Sequence, residues 1–480
     1  MLTFSTDNIR SRLDSMPMAV MAVSLIIGIV IAQAWSVPSL LWVVLLILSI
    51  LLSLWRGRAI IVAILAMGAL LYNIRSYDSL PQGVEQRMVM RITDDGADYG
   101  RFATHTAEVL QCSGKRCRAK VRVTTDSLTR VGCGDIVVVR AAVRPFLPQN
   151  SSYARSMTRQ GFSGRVTINE HRVLQHRPAN RVRLHSWAVK RLSTLLPQST
   201  GRDVAISLSL GAKMINSNQI RDKYSYSGVS HLLAVSGLHV GMVAMLLNLL
   251  LLPLGFMWRG NVVRSSIVVL LIWLYVALCG YPTSAIRAAI MFSVLQLSHL
   301  TRSRYSQENS ICTAAFVMLA FSPTMLFELS FSLSFIAVLA IIFVGQPINS
   351  MLRFRGAAKP IMDGIVISTV CVLATMPLIS NSFGVISTLS IFVTPLALIS
   401  AQIIIISSLL ALIAPQPVAQ IVLQAAEWCA DVQNRVVAWS VEQSIGFAEV
   451  RISDTTTAIL YATMTLLILT LLGVKERKEK

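Results

Sequence analysis

A polytopic α-helical membrane protein interrupted by a small extracytoplasmic β-barrel is the architecture this sequence predicts, on three observations. Of 480 residues, 54% are hydrophobic and 14% charged, and the mean hydropathy is +0.63. A water-soluble fold of this size shows more charge, because its surface must be solvated, so the composition excludes a soluble globular enzyme. Apolar runs long enough to cross a bilayer recur at both ends of the chain, separated by short basic loops. Those runs stop between Gln82 and Gln198, where the basic residues concentrate, and from Gln82 to about Arg177 short alternating segments replace them. The net charge is +20. Its concentration in that middle segment suits a polyanion or an anionic bilayer surface, with a merely solvated face as the plainer explanation.

The amino-terminal region, residues 1–80, reads as spans near Met18–Trp35, Ser39–Trp55 and Ala59–Tyr72. Arg56 and Arg58, in the turn between the last two, place that turn in the cytoplasm. The amino terminus is then cytoplasmic and the chain emerges outside after Tyr72. Trp35 and Trp55 mark span ends, as in aromatic belts. Ala32-Gln33-Ala34 has the small-residue pattern of a cleavage box, but further apolar segments follow at once, so an uncleaved first span is expected.

Residues 81–178 have β character. The runs Arg87–Ile92, Lys120–Thr124 and Ile136–Arg140 alternate, and the turn residues Asp94-Asp95-Gly96 and Gly132–Asp135 separate such runs. About five short strands suit a small OB-like barrel, a fold that often binds single strands through basic grooves and stacking aromatics. Arg116, Arg118, Lys120 and Arg122 recur at period two, with Cys117, Ala119, Val121 and Val123 between them. On a strand these sets face opposite ways. The basic set repeats at about 6.6 Å, close to the phosphate spacing of an extended single strand. Edge-strand protection is the competing explanation for such a row. Tyr99, Phe102 and Phe162 are stacking candidates that core packing would also explain. There are seven cysteines. Cys279, Cys312, Cys371 and Cys429 lie in or near apolar runs and read as small hydrophobes. Cys112 and Cys117 are a candidate disulfide if the segment is extracytoplasmic, leaving Cys133 over. No fourth ligand completes a zinc site, so no metal is expected.

Residues 179–228 read as amphipathic interfacial helices. Leu184, Trp187, Ala188, Leu192 and Leu195 form one stripe of a helix over Arg181–Leu196, which suits a membrane interface or packing on the soluble domain. A second helix covers Arg202–Lys213. The membrane bundle, residues 229–413, has spans near Val229–Leu252, Val262–Gly280, Ala285–Leu300, Ser310–Ser322, Leu329–Val344 and Ile361–Ile379. The loops Arg259–Arg264, Arg302–Arg304 and Arg353–Lys359 then all fall in the cytoplasm. The basic tail Lys475–Lys480 also belongs inside. That requires Gly384–Ile413 to split near Pro395 into a re-entrant half and a second half, or two short crossings. Residues 414–454 would be an extracytoplasmic amphipathic segment, and 455–480 the last span and cytoplasmic tail.

Polar residues inside these spans are the candidates for function, since such groups are costly in lipid and usually face a bundle interior or an aqueous path. Ser230–Gly241 reads SHLLAVSGLHVG. Ser236 and His239 share a helical face, and Gly237 and Gly241 form a small-xxx-small pair for close helix approach. His231 lies nearer the span mouth. For His239 an interhelical hydrogen bond is the structural explanation. Gly280–Met291 (GYPTSAIRAAIM) places Ser284 and Arg287 at a span, and Glu328–Phe335 (ELSFSLSF) places Ser330 and Ser334 on one helical face. Arg287 pairing with Glu328 is the structural alternative to a role in transport. An intramembrane serine hydrolase built on Ser236 is disfavoured because its base would sit on the same helix. A small-solute permease or exporter lacks support from an inverted repeat of broken helices.

The SGLH block resembles the signature of the ComEC-type competence family, whose proteins carry single-stranded DNA through a bacterial inner membrane. GYPTSAIRAAIM and ELSFSLSF resemble further blocks of that family. So do Ser207–Gly211 with Ser227-Gly228, and Pro377 with Asn381, Gly384 and Pro395. Gly134-Asp135 through Pro145, Asn150, Tyr153 and Gly161 resemble its amino-terminal soluble domain. The chain departs from the pattern at Ala212, where an acidic residue is common, and at Ser390, where asparagine is. The resemblance implies a translocation path past Ser236, His239, Ser284, Arg287, Ser330 and Ser334, with His231, Gly237, Gly241 and Pro395 in motif packing. Many members also carry a metallo-β-lactamase-like domain. Here the seven histidines never cluster with aspartates in that way, and no G-x-x-x-x-G-K-[ST] loop occurs. The expectation is therefore a chain without enzymatic activity or cofactor. Its partners would be single-stranded DNA, the lipid bilayer, an outer-side DNA receptor, a separate nuclease and a cytosolic ATP-driven helicase or translocase.

Overall fold

A computed structural model describes residues 16–464 with short interruptions, the longest at 127–130, 176–179, 215–219, 299–306, 353–358 and 443–446. Among the described residues five helices are long and apolar enough to cross a membrane: Pro17–Ala34, Gly260–Leu278, Leu329–Leu352, Met362–Ser382 and Val393–Ile413. The chain forms two compact units, one of residues 1–179, 244–274 and 286–331, the other of 180–243, 275–285 and 332–480.

The first unit begins with α1 (Pro17–Ala34), α2 (Ser39–Ser53) and α3 (Ile60–Arg75). Helices α1 and α3 cross at glycines. A Cβ on Gly28 would lie 2.0 Å from the Leu65 carbonyl oxygen, and one on Gly68 would lie 2.5 Å from that of Leu25. The backbones themselves touch there, as small residues allow in apolar bundles. Exposed leucines, isoleucines and valines cover most of α2, the surface a lipid-facing helix needs.

Strands β1 (Glu85–Ile92), β2 (Ala97–Asp98), β3 (Phe102–Cys112), β4 (Lys115–Asp126), β5 (Ile136–Ala142), β6 (Phe162–Ile168) and β7 (His171–Gln175) follow. Helix α4 (Ser152–Arg159) lies between β5 and β6. The mixed sheet runs β6-β4-β3-β1-β5-β7, with β2 on β3. All its main pairings are antiparallel except β4 with β6. Just past β5, Arg144 and Arg165 exchange backbone hydrogen bonds of 2.8 Å, so the chain after β5 also meets β6. Met88, Met90, Ile92, Val109, Val121, Val123, Val137 and Val166 fill a single core. These residues alternate with less buried ones along their strands, which is the period-two pattern of a sheet with one face turned in. Cys112 and Cys117, the candidate disulfide, are not bridged in the structure: the hairpin register sets Cys112 opposite Lys115, and the Cys112 thiol donates to Gln86 Oε1.

The unit continues with α7 (Gly237–Leu250) from Ala244, α8 (Gly260–Leu278) to Leu274, α9 (Thr283–Ser298) from Ile286, and α10 (Gln307–Phe321). Polar glue joins α8 and α9, where Trp273 Nε1 donates to Ser293 Oγ at 3.2 Å. A short 3-10 turn, Pro323–Phe327, joins α10 to α11 (Leu329–Leu352). It packs against α3, where Tyr72 and Phe327 meet edge to face at 6.0 Å.

In the second unit, α5 (Asn180–Leu195) and α6 (Thr200–Leu210) pack with α13 (Ser390–Ile413) and α14 (Gln416–Glu442). Ser199 caps α6 by accepting from Arg202 N at 3.1 Å, and Gly211 ends it at φ 72°. The stripe of α5 divides by burial. Ala188, Leu192 and Leu195 are buried, while Trp187 is exposed. Pro395 does not split 384–413, contrary to expectation: α13 is one helix with the proline inside it. A proline near the start of a helix frees few carbonyls, so the helix continues. Helix α14 packs along α13, with Ser400 donating to Gln433 at 2.7 Å. Asn381, in α12 (Lys359–Phe383), holds Ile452 O at 3.0 Å and Asp454 Oδ1 at 2.9 Å, just ahead of the helical residues 454–464. The basic tail and the 302–304 loop lie outside the described residues, as does the Asp94-Asp95-Gly96 turn.

Candidate nucleic-acid interface and buried polar positions

The basic row of β4 is laid out as its alternation predicts. Ala119, Val121 and Val123 are fully buried, while Arg116 and Arg118 are exposed and Lys120 and Arg122 half-buried. β6 pairs with β4 from Lys120 onward, so edge protection does not explain Lys120 and Arg122, whereas Arg116 and Arg118 lie ahead of that pairing. Register extends the charge sideways: Arg122 pairs with Arg165 of β6, Lys120 with Glu108 of β3, Glu108 with Arg91 of β1, and Arg87 of β1 with Arg140 of β5. Paired residues share a face, so one outer surface carries cations on four strands, β1, β4, β5 and β6, with Glu108 of β3 among them. Arg87, Arg91, Arg140 and Arg165 were not singled out in the sequence, although Arg87 and Arg91 alternate with the buried Met88, Met90 and Ile92.

Aromatic rings sit among these cations. The Arg118 guanidinium lies 5.2 Å from the Tyr77 ring centroid, and Lys120 Nζ lies 4.4 Å from that of Phe162 and 5.9 Å from that of Tyr77. Phe162 also packs edge to face on Phe146 at 6.4 Å, so it is largely a core residue, whereas Phe102 is exposed. Tyr99 lies outside the described residues. Arg118 donates to Glu108 at 3.1 Å and Arg122 to Thr106 at 3.1 Å. Burial pushes the Tyr77 hydroxyl above its usual range, and the Glu108 carboxylate adds to this.

Arg287, in the same unit, is 2% exposed. It donates to Ser330 Oγ at 3.1 Å and to the Ser330 carbonyl at 3.0 Å, and Nη1 lies 3.9 Å from Glu328 Oε2. Helix α9 supplies the arginine, and the entry into α11 supplies both partners. Burial raises the Glu328 carboxyl, which lies just before α11, against the opposing pull of Lys120 and Arg287.

The second unit holds the other polar candidates. Helix α7 starts at Gly237, eight residues later than the span expected from Val229, so SGLH is a helix start and not a mid-span face. His239 is fully buried, and its Nδ1 accepts the Ser236 backbone N–H at 2.8 Å. A residue at the third helical position bonding back to the N-cap amide is half of a capping box, with histidine in the place of glutamate. Ser236 Oγ has no hydrogen-bond partner among the described residues. Its Nδ1 is taken up by the backbone amide, so that nitrogen does not contact the Ser236 hydroxyl. Ser284 Oγ, at the start of α9, donates to the Val235 carbonyl, tying two helix starts together. Ser334 lies on α11 and Gly241 one turn into α7, both half-buried. His231 lies outside the described residues.

Residues 208–477, over half of the chain, match the Competence protein family. The chain belongs to that family. A 200-residue segment, 42% of this chain, is 32% identical to ComE operon protein 3 of Bacillus subtilis (strain 168), of which it covers 24%. A 180-residue segment, 37% of this chain, is 32% identical to an uncharacterized protein of Aquifex aeolicus (strain VF5), of which it covers 39%. The chain thus matches well under half the length of either relative. No solved structure matches it. The competence match contains Ser236, His239, Ser284, Arg287, Ser330, Ser334 and Pro395, whereas the basic sheet lies ahead of it. Among the described residues no cluster of His, Cys, Asp or Glu could hold a metal ion.

Proposed function

We propose that this competence-family chain takes part in DNA uptake, receiving single-stranded DNA on the basic sheet and conducting it across the bacterial inner membrane. The observation that carries the reading is the run of cations across registered strands, joined to a family match in the apolar half. Such a surface holds a flexible polyanion through salt-sensitive phosphate contacts, and the half-buried Tyr77 ring among the cations offers stacking. An OB-like barrel for residues 81–178 is supported by the parallel β4–β6 pairing and by the Arg144–Arg165 bridge beyond β5. Polar groups at Arg287 and Ser330, and separately at Ser236, His239 and Ser284, are those we assign to conduction through the bundle. In this scheme the chain is not itself an enzyme. A receptor outside, a separate nuclease and a cytosolic ATP-driven motor complete the route. The test is a deletion strain given labelled DNA, with entry into the cytosol scored apart from surface binding. Loss of entry, restored by the intact chain, is the expected result; undiminished entry in the deletion strain overturns the proposal.

A further inference from the structure

Within the first unit one acidic side chain stands between the cations of the sheet and the buried arginine of the membrane half. Glu328 Oε2 lies 3.9 Å from Arg287 Nη1, beyond hydrogen-bonding reach, while the same guanidinium makes two shorter bonds to Ser330. A pair built for stability has short charge-assisted hydrogen bonds, of about 2.8 Å. The two partners also differ in access: the Glu328 side chain is 20% exposed and that of Arg287 is 2% exposed. On the other side, the Lys120 ammonium is held over the Phe162 and Tyr77 rings. Its charge acts on the Glu328 carboxyl more strongly than that of Arg287 does. The carboxylate is therefore loosely held by Arg287, partly accessible to solvent, and within the electrostatic reach of Lys120.

We propose that Glu328 occupies an exchangeable phosphate position, standing in for a backbone phosphate between Lys120 and Arg287 until a strand displaces it. This rests on the reading of the sheet as a receiver of single-stranded DNA, and it adds the point at which the strand passes from sheet to membrane helix. Displacement puts the single negative charge of the incoming phosphate where the carboxylate stood and returns the carboxylate to water, so the carboxylate competes with DNA at that one position.

The test uses the purified full chain in lipid nanodiscs and a fluorescent oligothymidylate, with anisotropy read over a range of salt. Glu328→Gln keeps the shape and removes the competing charge. It tightens binding about fivefold at low salt, the scale of one partly exposed ion pair. It also steepens the logarithmic salt dependence by about 0.7, as for one further phosphate neutralised without an internal counter-ion. Glu328→Ala shifts both readouts the same way, which covers the case in which the glutamine variant folds poorly. A lowered melting temperature with unchanged affinity and slope identifies a structural ion pair and overturns the proposal. An Arg116→Ala/Arg118→Ala variant separates the two levels. If that variant weakens binding while Glu328→Gln changes nothing, reception by the sheet stands and the exchange position falls. If neither the natural chain nor Glu328→Gln binds the oligonucleotide, both fall.

Discussion

Arg287 and His239 are the two buried polar side chains that stand out in the apolar half, and they are held in opposite ways. Arg287 is held by tertiary structure, its bonds running to Ser330, 43 residues away. The bond seen for His239 is local, reaching three residues back to the Ser236 amide at the start of its own helix. A group held by distant partners reports on how helices pack and on what lies between them. A group held by its own turn reports first on where the helix begins. The same cost of burying polarity thus supports a transport role for Arg287 more strongly than for His239.

Substitutions sharpen that contrast in descending order of effect. Arg287→Leu removes both bonds to Ser330, so a loss of about 1–3 kcal/mol is expected in thermal unfolding of the detergent-solubilised chain. Arg287→Lys keeps the charge but cannot reproduce the two-pronged contact. It is expected to fold and to fail in DNA entry, and normal entry in Arg287→Lys removes the arginine from the route. Replacing Arg116, Arg118, Lys120 and Arg122 together by alanine lowers the salt slope of oligonucleotide binding by up to about 3, at roughly 0.7 per phosphate contact. An unchanged slope returns the row to a merely solvated face. His239→Ala costs about 1 kcal/mol as a lost cap bond, whereas His239→Gln retains an acceptor and most of the stability. If His239→Gln folds and still abolishes DNA entry, the histidine does more than cap. Ser236→Gly, at the N-cap, is the mildest, at a few tenths of a kcal/mol.

The sequence displayed these features unevenly, for physical reasons. The β4 row was legible because a strand's period of two separates Arg118, Lys120 and Arg122 from Ala119, Val121 and Val123 without help from any neighbour. Its continuation through Arg87, Arg91, Arg140 and Arg165 depends on register between strands far apart in sequence, which no single run displays. The SGLH block was read as mid-span because Leu232, Leu233, Ala234 and Val235 are apolar. The serine three residues before His239 was the available sign of a helix start. The split expected at Pro395 failed because a proline there removes one donor from a long apolar helix whose remaining bonds persist. The Gly28 and Gly68 crossing went unnoticed, since a lone glycine in each span gives no pattern until the spans are paired.

The central claim, that a DNA strand travels past the buried arginine, is most directly tested by stalling import. A photoreactive residue is placed at Ser330, beside Arg287, and single-stranded DNA carrying a bulky protein block at one end is supplied to competent cells. The account predicts cross-links between the Ser330 position and the label of the blocked strand, lost when the sheet cations Arg116, Arg118, Lys120 and Arg122 are replaced. A strand that cross-links to probes on the sheet but never to the Ser330 position, while import proceeds, contradicts it.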